Sequence, residues 1–313
     1  MTRRIHTRIA QSRNTAFTAT LYGTVVWAAA GLFTERWWWQ FVVFIVSAPL
    51  LATLCNIHAM TRVAGGMVQL MFVMLTAMLT SAFADLTDAI AVMLFIVAYT
   101  SLFDGYQAPQ SPMTSYCAAL FIGAASLLNV HMLVYILPVW VVMAAYLQSM
   151  SIRSFAASLL GVTTPYWFTG AYCFVFDDLA HAAERHFAPI TQLTLPPDYS
   201  TMTASALLPG ALTAVLAVTA FVHLFCTSYE DKTRVRMLYY SFMLTAVCAA
   251  AFLVLFPEQH ALHTRILIVC TAPLAAHLFA FSTARATAAA FIITIVLILA
   301  ITLYNLWTSS PLF

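Results

Sequence analysis

Eleven apolar stretches follow one another along this chain, near 15–33, 37–56, 65–84, 89–103, 113–129, 131–148, 155–176, 205–227, 237–256, 266–282 and 287–307, and none contains Asp, Glu, Lys or Arg. A bilayer core is crossed by about twenty apolar residues in a helix, because hydrocarbon gives backbone N–H and C=O groups no partner outside the helix. The expected fold is all-α: a polytopic transmembrane helical bundle of about 11 spans. Composition agrees, with AVILMFWYC residues at 63% and DEKR at 8%. A soluble domain carries roughly 25% charged residues, and 8% would not cover a surface in water. The longest connection runs from 177 to about 204, so residues 1–313 are expected to form a single integral membrane domain.

Charge sets direction and parity. Lys and Arg favour cytoplasmic connections, whereas acids contribute little to the rule. With the N-terminus inside and eleven spans, the inner set is Arg3, Arg4, Arg8, Arg13, Arg62, Arg153, Lys232, Arg234, Arg236 and Arg285. The outer set is Arg36, Arg185 and Arg265. The fourth, fifth and tenth stretches are short, but deleting the fourth flips all that follows and leaves seven inside against six outside. Merging the fifth and sixth into one re-entrant hairpin keeps parity, so nine spans stay open beside eleven. The basic start before Thr15 also resembles a signal peptide, with Ala28-Ala29-Ala30-Gly31 as a cleavage region. The run to Phe33 is long for that, and a second span follows at once, so an uncleaved anchor is expected. The localisation that follows is a bacterial inner membrane, multi-pass, N-terminus cytoplasmic and C-terminus outside.

Trp37-Trp38-Trp39 opens the second stretch at its outer end, where amphipathic rings settle at headgroup depth. Pro138 and Pro165 fall inside stretches six and seven and are expected to kink them, with Thr163 and Thr164 supplying hydroxyls to the freed backbone. Cys55, Cys117, Cys173, Cys226, Cys248 and Cys270 all lie in apolar stretches without a C-x-x-C, which reads as packing rather than disulfides or zinc. No internal repeat is evident.

Most acids fall on the outside: Glu35, Asp85, Asp88, Asp177, Asp178, Glu184, Asp198 and Glu258, against Asp104, Glu230 and Asp231 inside. The longest outer loop, 177–204, begins as an amphipathic helix. Phe176, Leu179, Ala180, Ala183 and Phe187 recur at helical spacing, with Asp177, Asp178, His181, Glu184 and Arg185 opposite. Such a helix lies in the membrane surface, polar face outward, and Pro196-Pro197 ends it. A second outer group is Glu258, His260, His263 and Arg265, in which two imidazoles three apart on a helical turn could reach one ion. Carboxylates with imidazoles suit a divalent metal, and with arginine they suit a phosphate. The candidate catalytic residues are therefore Asp177, Asp178, His260 and His263, and the candidate substrate-binding residues are Arg185, Arg265 and Glu184. No metal or other cofactor can be named. The same residues also read as two solvated loops that cap helices and meet headgroups.

Within the membrane, His223 and His277 sit mid-span and His131 at a turn. They are candidates as intramembrane ionisable groups, or neutral histidines bonding a neighbouring helix. No span carries a carboxylate or lysine at its centre, which counts against a proton- or sodium-coupled transporter. The segment from Ser228 to Arg236 reads as a charged hinge that anchors topology and meets anionic lipid. A net charge of +2 leaves no nucleic-acid footprint. No P-loop, G-x-S-x-G, H-E-x-x-H or G-x-G-x-x-G occurs.

Phe121-Ile-Gly-Ala-Ala-Ser-Leu-Leu-Asn129, Ile136-Leu-Pro138, Ile152-Arg-Ser-Phe155 and Leu160-Gly-Val-Thr-Thr-Pro165-Tyr-Trp together resemble a multispanning inner-membrane family of Bacteroidota defined as a domain of unknown function. The resemblance covers about 60 residues and implies a Gram-negative inner membrane, with no catalytic residue carried over. More distantly, the glycine-then-proline pair of spans is similar to polytopic glycosyltransferases that use polyprenyl-phosphate donors. Those enzymes place acids on an outer loop near the first spans; here Glu35 stands alone there, and the helix-bearing loop follows span seven.

Two functions follow as expectations. One is a cell-envelope enzyme acting on a lipid-linked or phosphate-bearing substrate at the outer face, with membrane lipids as partners. The other is a transporter of an amphipathic solute, or a non-catalytic subunit of an envelope complex. Nothing in the sequence fixes the oligomeric state.

Overall fold

The computed structural model describes residues 12, 14–60, 66–191, 197, 199, 202–227, 231–281 and 285–309, and among these each of the eleven apolar stretches is helical. The helices are α1 (Thr15–Ala30), α2 (Trp38–Ile57), α3 (Gly66–Ala77), α4 (Leu86–Asp104) and α5 (Pro112–Leu128). The sixth stretch is composite: a 3₁₀ segment Val130–Tyr135, the short α6 (Ile136–Val141) and a π turn Val142–Tyr146. Then come α7 (Ile152–Phe176), the amphipathic α8 (Leu179–Thr191), α9 (Ala204–Thr227), α10 (Thr233–Leu255), α11 (His260–Phe281) and α12 (Arg285–Ser309). Among the described residues, six helices are long and apolar enough to cross a membrane: Trp38–Ile57, Leu86–Asp104, Ala204–Thr227, Thr233–Leu255, Pro257–Ala280 and Ala286–Thr308. Arg3, Arg4, Arg8, Arg13, Arg62, Pro196, Asp198 and Glu230 lie outside the described residues.

The chain divides into two compact units, residues 87–198 and the remainder, 1–86 with 199–313. In the larger unit α11 is the central helix. It is apolar all round, a pattern that suits a helix enclosed by others, and its spanning window is buried throughout. It packs against α9, α10 and α3. Trp27 of α1 stacks on Phe83 with ring centroids 4.0 Å apart. Gly23 lets α1 approach α3, since a side chain there would meet Val73 and Phe44.

The third stretch does not remain one helix. It breaks after Ala77 and resumes as a 3₁₀ turn at Thr80–Ala82. Carbonyls opened by such a break need partners when water is excluded. Asn305 Nδ2 donates to the Met78 carbonyl (2.7 Å) and Gln40 Nε2 to that of Ala84 (3.0 Å). The Arg265 guanidinium donates to the carbonyls of Ala82 and Asp85. At the opposite end of this unit, Tyr239 donates its hydroxyl to the Met60 carbonyl (2.9 Å), and Arg234 Nη2 lies 3.3 Å from His58 Nδ1.

The smaller unit is built on the crossing of α5 and α7. Helix pairs without a hydrophobic driving force associate through small residues that let backbones touch. At Gly123 an added Cβ would lie 2.6 Å from the Val162 carbonyl, and at Gly161 it would run into the Tyr116 carbonyl. Ser158 of α7 accepts the Trp140 indole N–H at 3.0 Å. Around Pro165 the threonine hydroxyls bond the carbonyls of Leu159 and Leu160, close to the proline-freed turn but not its own carbonyl.

Candidate functional site

The amphipathic spacing of the long loop produces α8, and its start shows how. Asp178 Oδ1 accepts the backbone N–H groups of Ala180 (2.9 Å) and His181 (3.4 Å), which would otherwise be open at a helix start. Asp178 thus caps the helix. Asp177, one residue earlier, pairs with Arg185 at 3.4 Å, and these side chains are 52% and 61% exposed. A pair so open to water adds little stability, so both charges stay accessible. Glu184 and His181 are exposed on the same helix.

Beneath this charged rim, α8 and α7 enclose a groove of about 380 Å³ with mostly apolar walls. Thr169, Gly170 and Cys173 line it from α7, and Ala183, His186 and Phe187 from α8. Its floor is held by hydroxyls that the sequence does not connect. Ser126 donates to the Gly123 carbonyl at 2.8 Å, and its oxygen lies 2.7 Å from the Tyr166 hydroxyl. With the serine proton committed, Tyr166 must donate to Ser126. The Tyr166 oxygen then accepts from His186 Nε2, 3.3 Å away. That order places the neutral imidazole's proton on Nε2 and its lone pair on Nδ1. Burial pushes the His186 pKa below its ordinary value, against the opposing pull of a backbone bond at Ser126. Phe187 stacks on Tyr166 with centroids 5.7 Å apart, seating α8 on α7.

At the edge of the same unit, Asn129 follows the groove-lining Leu127 by two residues. Its Nδ2 donates to Asp88 Oδ1 at 2.8 Å, and its Oδ1 accepts the His131 backbone N–H at 3.1 Å. Asp88 and His131 are both buried. Asp88, one of the acids expected outside, therefore meets the loop of Asn129.

The second predicted group lies in the larger unit. Glu258 sits in a 3₁₀ turn at Pro257–Gln259, and α11 starts at His260, so three of the four residues belong to the helix. The apolar window begins only at residue 266, yet the helix extends a turn and a half further. His260 Nδ1 is 3.1 Å from the Pro257 carbonyl. His263 is fully buried between Phe252 and Phe256. Arg265, 8% exposed, holds the carbonyls of the broken third stretch. Among the described residues no three His, Cys, Asp or Glu side chains gather as a metal site. No family model, curated protein or solved structure matches this chain.

Sequence reasoning missed Ser126, Tyr166 and His186 as a set. The one available signal was His186 itself, next to Arg185 on the apolar side of the predicted amphipathic helix.

Proposed function

We propose that this is a multi-pass inner-membrane protein, N-terminus inside with about eleven spans, that acts on a lipid-linked or phosphate-bearing amphipathic molecule at the outer face. The groove between α7 and α8 carries the reading: an apolar trough opens beside an interfacial helix with accessible charges on its far side. An isoprenoid or acyl tail suits the trough. A phosphate suits the Arg185 guanidinium, which donates to two oxygens at once. His186, held by Tyr166 with its proton on Nε2, offers Nδ1 to an attacking hydroxyl's proton. Asp177 and Glu184 border the head-group position.

The topology draws support from the larger unit. The start of α2, the end of the third stretch, the starts of α9 and α11 and the end of α12 share one end, through Gln40, Met78, Ser205, Arg265 and Asn305. The third stretch ends at the end of the unit where α9 begins, which supports an even number of crossings by the intervening chain, as in the eleven- and nine-span arrangements.

Binding of a polyprenyl phosphate and of the corresponding alcohol to the full chain in nanodiscs tests the function. The reading expects the phosphate to bind at least tenfold tighter, with Arg185→Gln removing the difference. Equal binding of both would favour a carrier of amphipathic solutes, and binding of neither would refute the groove.

A further inference from the structure

The larger unit contains a polar cluster that the groove does not use. His277 Nε2 of α11 lies 2.9 Å from Asp231 Oδ2, and the two side chains are only 4% and 8% exposed. Asp231 precedes α10, in the segment that reads in sequence as a charged hinge, and its carboxylate is enclosed. The His223 ring of α9 stands 5.7 Å from that of His277. Tyr239 of α10 packs 4.9 Å from His277, and its own proton is committed to the Met60 carbonyl.

A carboxylate enclosed among apolar helices is costly unless paired. Helix association alone needs only an amide or hydroxyl at such a place. An imidazole against a carboxylate, with a second imidazole beside it, differs in having two protonation states that the same geometry accommodates. One proton lies between Nε2 and Oδ2. With Nδ1 of His277 also protonated the pair is neutral overall, and when that proton leaves to His223 or to water the pair carries one negative charge.

We propose that Asp231, His277 and His223 form an intramembrane proton-binding site that loads one proton from the end of the unit where α10 begins. Beside it, Tyr239 of α10 lies within electrostatic reach of both Asp231 and the buried Cys55 of α2, and Lys232, Arg234 and Arg236 follow Asp231 in sequence. Arg234 is directed at His58.

The test is nitrogen-15 spectroscopy of the full chain, histidine-labelled in nanodiscs, from about pH 5 to 9, with signals assigned by His277→Gln and His223→Gln. The proposal expects His277 to exchange between imidazolium and Nε2–H imidazole within that range, with the His223 signal moving alongside. Asp231→Asn should remove the imidazolium population and Asp231→Glu should retain it. A wild-type His277 in one neutral state throughout, or a titration unchanged by Asp231→Asn, would overturn the site. Should Asp231→Asn not fold, the wild-type and Asp231→Glu titrations decide. The groove can fail its binding test without touching this outcome.

Discussion

His186 Nε2 lies 3.3 Å from the phenol oxygen of Tyr166, and through Ser126 that contact continues to the carbonyl of Gly123, a residue at which α5 and α7 touch. Helix α8 is thus joined by three hydroxyl-centred bonds to the α5–α7 crossing. Groove, helix seating and helix crossing form one mechanical piece, so changes at any of the three residues should register at the others.

Tyr166→Phe removes the proton that Ser126 accepts and the oxygen that His186 meets, while leaving the ring on Phe187. It should loosen α8 by about 1 kcal/mol, the net value of one hydrogen bond. Limited proteolysis within Leu179–Thr191 should speed up several-fold, and Ser126→Ala should do so less.

Acid should have a similar effect through His186. Its folded pKa lies below the ordinary value of 6.5 because burial disfavours the charged form. The unfolded or undocked state therefore binds the proton more readily. Docking of α8 is fully favoured above about pH 6.5 and weakens as pH falls through the lowered value. Proteolysis of α8 should accelerate over that window in the wild type, whereas His186→Gln should show no such window.

The α5–α7 crossing has no room for a methyl group. Gly161→Ala should cost about 1–3 kcal/mol through overpacking, read as a lower midpoint of thermal unfolding in detergent. Gly170→Ala, whose added carbon would meet only Leu179 at 3.9 Å, should be close to neutral.

Arg265→Met replaces a buried donor with an apolar chain of similar length and leaves the Ala82 and Asp85 carbonyls without it. A loss of about 2–3 kcal/mol is expected, again as a shift in unfolding midpoint. If the residue instead served only to bind substrate, stability would not move.

Helix positions were legible in the sequence because each apolar stretch must satisfy its own backbone, and the 3.6-residue spacing of Leu179, Ala183 and Phe187 disclosed α8. Which helix is central was not. α11 reads like its neighbours, and only packing distinguishes it. The break after Ala77 was hidden too, because its carbonyls are closed by Gln40, Arg265 and Asn305 from distant segments. The rim charges Asp177, Glu184 and Arg185 could be found from local spacing. The Ser126–Tyr166 bond joins residues 40 apart and the Asp231–His277 pair residues 46 apart, so no local pattern contains either. Asp231 reads in sequence as part of a charged hinge because its neighbours are charged, and burial of one member of a charged run is a tertiary property.

The groove is tested most directly by a polyprenyl phosphate carrying a diazirine in its tail, photolysed with the full chain in nanodiscs and mapped by mass spectrometry. The account predicts adducts concentrated at Thr169, Gly170, Cys173 and Ala183, and a several-fold loss of them in Gly170→Leu, which fills the trough. Adducts spread over the exposed apolar face of α7 at Trp167, Phe168 and Phe174, and unchanged in Gly170→Leu, would contradict it.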